Sequence, residues 1–370
     1  MRRVFIFFLI LSIFSFAMEE KVERRIENGV EVIVNPEKPL KPLKIILKEE
    51  LSIETEKFTN GELTTIGSFN SDSSNNIYIY DYKANRIVKF SPDGKIQGFI
   101  GKEGQGPGEF SSVSNICFDS SDNLIVTDRE NRRFSIFSKD GSLIKEIKIN
   151  FSFFDGLILG NGNFLFLEMS FDVTSKKPSR VLNLYNQDFK KLKELDRIEM
   201  FNPLGAKIKG IRFNLPFSVS KDRIFTGNQE RGYEIFVYDF IGNMVKKIKK
   251  EYKPLRTSEE YKSRFIKELG DFVYPRVKEK LYFPDFLPPF HYFLTDDKGR
   301  IYVMTYEREK PDEYIFDVFD QEGVLISKVS LKDFSLPEGL RGIIKNDYLY
   351  CVFEKESGFE KLVVYRISWK

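Results

Sequence analysis

Residues 75–110 read NNIYIYDYKANRIVKFSPDGKIQGFIGKEGQGPGEF, and this stretch decides the fold. Asn75-Asn76 is a turn pair. Ile77 to Asp81 then reads as a strand of β-branched and aromatic residues. A second strand, Arg86 to Phe90, runs into Pro92-Asp93-Gly94, and Asp-Gly between strands is a strong hairpin signal. The charged, alternating Lys95 to Ile100 closes the unit. The same start recurs at Asp122-Asn123, Gly162-Asn163, Asp222-Arg223, Gly299-Arg300 and Asp347-Tyr348. Each unit is an antiparallel sheet of about four strands, repeating every 40–50 residues or so where nothing is inserted.

That period suits a β-propeller blade, and a lone blade cannot bury both faces. The expectation is an all-β, six-bladed β-propeller over residues 44–370. The last unit, ending with Leu362 to Ile367, lacks an outer strand, while Lys44 to Ile53 alternates without a partner. That N-terminal strand is expected to complete the sixth blade and remove its exposed edges. A two-sheet sandwich or open solenoid is the structural rival, but six units exceed what one sandwich uses.

Residues 75–110 resemble an NHL-type repeat: Asn-Ile-Tyr-Ile-Tyr-Asp81, Asn85-Arg86, Asp93-Gly94, then the glycine-rich 101–110. The second unit carries Asp128, Arg133 and Asp140-Gly141 at matching places. The layout is similar to exported bacterial six-bladed propellers. The resemblance implies fold and compartment and little about chemistry.

Two inserts depart from a minimal ring. Met200 to Arg212 separates units three and four, and Lys253 to Pro289 separates four and five. In the second, Thr257 and Glu260 form a capping box, Gly270 is a stop, and Tyr261, Phe265 and Leu269 share a helical face. A short helix lying on the ring is expected, as a cap on blade surface or as a lid or partner platform.

Residues 1–17, MRRVFIFFLILSIFSFA, have a positive start, an apolar run and small residues Ser15 and Ala17 at a cleavage site. They read as a secretory signal peptide. Residues 18–43, with Pro36, Pro39 and Pro42, read as an extended leader. The mature chain is then exported, periplasmic or extracellular, with no membrane anchor, and a monomer is expected. Net charge is +3, or +1 without Arg2 and Arg3, so no basic field points to nucleic acid.

The composition has one His and two Cys among 370 residues. A His-rich zinc site and a Cys-rich metal site are both excluded. Cys117 and Cys351 read as small buried residues in different blades, not as a disulfide. The glycine-rich 101–110 lacks the Gly-Lys-Ser/Thr ending of a phosphate loop, and Pro107 removes an amide donor. It reads as a connector. Asp72, Asp119 and Asp296 sit at turn starts, where Asp caps backbone amides, with calcium as the alternative.

Asp81 and Arg86, like Asp128 and Arg133, are five apart across a strand turn. They suggest an ion pair bracing that turn. The alternative is a ring of polar groups at one channel mouth, in which Glu168, Asn228 and Glu354 hold comparable positions. His291, on the inner strand of unit five, is either a structural histidine or a titratable group near the mouth. Asp81, Asp128, Glu168, Asn228, His291 and Glu354 are therefore the candidate ligand-binding residues. No nucleophile, base pair or cofactor box is identifiable, and no cofactor is expected. Two functions compete: a scaffold binding a protein, peptide or glycan, and a calcium-dependent, lactonase-like hydrolase.

Overall fold

The computed structural model describes residues 21–370 apart from 173–176, 201–206, 212, 311–312 and 333–341. The signal-peptide reading of 1–17 lies outside the described residues, as do parts of the insert at 200–212. The chain is a six-bladed β-propeller. The first sheet holds Phe69–Ser71, Ile77–Asp81, Arg86–Phe90 and Ile96–Ile100, and the second Val113–Phe118, Leu124–Asp128, Arg133–Phe137 and Leu143–Lys148. The third runs from Asp155–Ile158 to Lys191–Glu199, the fourth from Phe217–Ser220 to Met244–Lys250, and the fifth from Tyr292–Thr295 to Leu325–Lys332. In the sixth, Gly342–Lys345, Tyr348–Glu354 and Glu360–Trp369 are followed by an N-terminal strand, Ile45–Glu54, antiparallel to the last of them.

Six apolar clusters alternate with six sheets. Ile87 and Tyr80 of the first sheet pack with Ile116 and Val126 of the second. Phe134 of the second packs with Phe166 of the third, and Leu182 of the third with Ile224 of the fourth. Ile235 of the fourth meets Val303 of the fifth, and Phe316 of the fifth meets Cys351 of the sixth. Tyr350 and Leu362 of the sixth pack against Ile79 and Val88 of the first. Each sheet buries both faces, which is why its strands read as near-continuous apolar runs. Burying one such Ile or Phe contributes roughly 1.5–3 kcal/mol.

The N-terminal segment differs from the extended leader read over 18–43. Residues 23–35 form a hairpin, β1 (Glu23–Glu27) and β2 (Val30–Asn35), with β2 parallel to Met244–Lys250. Asn28 and Gly29 have φ of 50° and 80°, the backbone a two-residue primed turn needs. Prolines 36, 39 and 42 lie beyond the hairpin, so the proline-rich composition described only its tail. Val32 and Ile33 are fully buried, and that burial holds the hairpin on the fourth sheet. Beyond it, Leu43 donates its N–H to Ile326 O at 2.8 Å, and Lys44 to Lys370 O at 2.8 Å. The segment thus runs along the outside of the fourth, fifth and sixth sheets.

The insert carries α1, Glu259–Val277. Its N-cap is Ser258, whose hydroxyl accepts from Tyr261 N, one residue beyond the expected Thr257. Thr257 instead donates to Pro284 O at 2.6 Å. Gly270, expected as a stop, is a kink (φ 65°), and helix resumes to Val277. Phe265 and Leu269 bury against Ile208, Val277 and Phe283. The two inserts also meet: Ile208–Lys209 pairs in parallel with Leu281–Tyr282.

Asn35 is the buried lock of the N-terminal segment. Its amide donates to Gly323 O at 2.9 Å and Lys249 O at 3.1 Å, and its oxygen accepts from Leu325 N at 2.7 Å. Asn35→Ala leaves those groups unpaired and is expected to cost about 2–4 kcal/mol. Urea unfolding of Asn35→Ala beside the exposed control Asn60→Ala checks this. An Asn35→Ala midpoint equal to that of the control contradicts it.

Candidate functional site

Asp81 and Asp128 end the second strands of the first two sheets, and both are fully buried. Asp81 accepts from the N–H groups of Thr64 (2.7 Å), Lys83 (3.2 Å) and Ala84 (3.3 Å), and from the hydroxyls of Thr64 and Thr65. Those bonds hold its carboxyl below its ordinary range against the opposing effect of burial. Asp128 accepts from Ser111 N, Ser112 N, Asn131 N and the Asn131 amide. Each carboxylate ties its strand end to the segment entering its own sheet.

The expected Asp–Arg pairs do not form. Arg86 donates to Gly61 O and Glu62 O, and Arg133 to Gln105 O, Gly106 O, Glu109 O and the Glu146 carboxylate. A planar guanidinium with five donors suits several loop carbonyls at once. The glycine-rich 101–110 is therefore a connector. Gly101 has φ of 72°, and a Cβ there would lie 2.2 Å from the Phe110 ring.

The remaining candidates do not converge either. Asn228 caps a short 3-10 turn and donates to Arg197 O at 2.7 Å. Beside it Asp196, buried, takes both arms of Arg231 at 2.7 and 2.6 Å. Glu168 accepts from Tyr185 OH at 3.1 Å, and its other oxygen has no partner among the described residues. Glu354 is exposed. Asp72, Asp119 and Asp296 cap backbone amides in their turns, as with Asp119 and the N–H groups of Ser121 and Asn123. Among the described residues no group of three or more His, Cys, Asp or Glu could hold a metal ion.

His291 lies where the inner strand of the fifth sheet begins, beneath α1. Its ring stacks on Tyr306 at 3.5 Å and meets Tyr314 edge-on. Its Nε2 has no partner among the described residues. Burial, with Arg264 and Arg308 nearby, pushes its pKa down to about 3. It is a neutral, packed ring. Cys117 and Cys351 are free.

Sequence reasoning missed two features. Asp155 opens the inner strand of the third sheet, and burial lifts its carboxyl to about 6, against the bonds from Gly156 N (2.8 Å) and Ser114 Oγ (3.3 Å). Nothing in the sequence sets Asp155-Gly156 apart from the other Asp-Gly pairs. The second is a cleft of 290 Å³ between the sixth and first sheets, lined by Thr55, Thr65, Tyr82, Lys83, Glu354 and Phe359 among others. Its rim is two strand-turn tips 270 or so residues apart in sequence. The signal available was an aromatic residue in each tip.

The family model DUF5128, described as a 6-bladed beta-propeller, matches residues 51–209. No curated protein matches. A protein of Bacteroides fragilis described as exported aligns at 13% identity and TM-score 0.54, covering 91% of this chain and 99% of that one. A DUF4221 family member from Bacteroides vulgatus aligns at 11% identity and TM-score 0.50, covering 88% and 99%. Both likenesses are of fold. Among the described residues no helix is long and apolar enough to cross a membrane.

The His291 environment has a pH consequence. Its folded pKa, about 3, lies below the ordinary 6.5, so the unfolded chain takes up the proton first. The contribution is present above pH 6.5 and is lost as pH falls from 6.5 toward 3. His291→Phe, which keeps the stack on Tyr306, is expected to unfold less steeply over that window. Thermal melts against pH check this, and parallel curves for the two proteins contradict it.

Proposed function

We propose that the protein is an exported propeller with NHL-type repeats that acts by binding a ligand at one end of the ring. The observation that carries this reading is the coordination of Asp81. Its two oxygens are occupied by Thr64, Thr65, Lys83 and Ala84, so it cannot serve a metal without dismantling its own sheet's entry. Asp128 is held in the same way. Asn228, Glu168 and Glu354 lie in different sheets, which supports scaffold roles over a shared ion. The cleft between the sixth and first sheets is the concave polar surface left for a ligand. The protein would work as a monomer outside the cytoplasm.

The rival is a calcium-dependent hydrolase. Thermal shift of the full mature chain in millimolar calcium, with turnover assays on a lactone panel, separates the two. The binding reading expects no calcium-dependent shift and no turnover, while Asp81→Ala lowers stability by about 3 kcal/mol with or without calcium. Hydrolysis of a lactone, or calcium stabilisation lost in Asp81→Ala, overturns it.

A further inference from the structure

We propose that the cleft between the sixth and first sheets takes a neutral saccharide unit. This rests on the binding reading above and names its ligand class. The floor of the cleft is fixed and its donors are spent. Thr55 Oγ1 donates to Glu360 O and accepts from Glu360 N, both at 3.1 Å, and the hydroxyls of Thr64 and Thr65 donate to Asp81. A floor locked in this way is pre-organised, so a ligand would not have to order it.

The rim is different. Glu354, Lys83, Tyr82 and Ser357 line the cleft, and among the described residues their side chains have no hydrogen bond or ion pair. Lys83 and Glu354 give the rim a strong donor and a strong acceptor, and the second lining carboxylate, Glu360, accepts from Ile66 N at 2.7 Å and leaves the cleft disfavouring acidic ligands. A polyol answers both, because each hydroxyl donates and accepts. Tyr82 and Phe359 are 50% and 47% exposed, although rings of this size are usually buried. Their flat apolar faces suit the C–H face of a sugar ring. The volume, 290 Å³, lies just below the usual range of ligand sites, about 300 to 1,000 Å³. That size fits a short saccharide or the end of a longer one.

An extended peptide has less to hold. Peptide capture by strand addition needs open backbone groups on a sheet edge. The tip beside Phe359 has already used its own: Lys355 N donates to Phe359 O at 2.7 Å, and Gly358 N to Lys355 O at 2.8 Å. Recognition here would fall to side chains.

The test applies the full mature chain to an array of neutral hexose, pentose and N-acetylhexosamine oligosaccharides, uronic-acid oligosaccharides and immobilised peptides. The expected result is binding to neutral oligosaccharides, weakened about tenfold by Tyr82→Ala and by Phe359→Ala. Phe272→Ala, which removes an exposed ring on α1, leaves it unchanged. Circular dichroism and melting of each variant report folding separately. Binding only to peptides or uronic acids, no binding at all, or neutral-sugar binding that survives both substitutions overturns the proposal. Lactone turnover would overturn the binding reading itself, whatever the array shows.

Discussion

A four-stranded sheet that is apolar on both faces is stable only between two others, and the rest of the structure depends on that constraint. Ile79 and Val88 pack toward the sixth sheet, while Tyr80 and Ile87, their neighbours in sequence, pack toward the second. The same alternation carries Phe134 to the third sheet and Ile235 to the fifth. The strands therefore hold little chemistry. Apart from a few buried groups such as Asp317, polar side chains are left at the turn tips and at the sheet entries, where they either brace the chain or face a ligand.

Most of them brace. Asp81 and Asp128 hold the segment that enters each sheet, and Arg86 and Arg133 hold the loop carbonyls before it. The outer hairpin adds a clamp of its own, with Asn35 reaching from the fourth sheet to the turn of the fifth. Lys250 and Asp317 join those two sheets as a fully buried ion pair at 3.1 Å, with Tyr233 donating to Asp317 at 2.7 Å. Such a pair is costly to break but is weak evidence of net stabilisation. Its clearer effect is to restrict how the two sheets can sit together.

The six units were legible because turn residues and strand periodicity are local. Asn76, Asn123 and Arg300 stand where their sequence signal put them, each after an Asp that caps its turn. What the polar side chains bond was not legible. Asp81 and Arg86 face each other in register, yet each finds partners 16 to 25 residues upstream, in the loop that enters the sheet. His291 was read onto the inner strand of the fifth unit and stands just before it, and its neutrality comes from burial among rings beneath α1, with Arg264 and Arg308 adding to it. The β1–β2 turn, Asn28-Gly29, was readable as a hairpin and was hidden by the prolines that follow it. The cleft could not be read at all, because Tyr82 and Phe359 come to line one cleft only when the sixth sheet packs on the first.

The central claim is that the buried carboxylates belong to the scaffold. Amide hydrogen exchange tests it most directly, at the N–H groups that Asp81 and Asp128 accept: Thr64, Lys83, Ala84, Ser111, Ser112 and Asn131. If the account is right, these loop amides exchange as slowly as those of the neighbouring strands, since they open only when the sheet does. Exchange as fast as in free surface loops would mean the carboxylates are not committed to the backbone, and would contradict it.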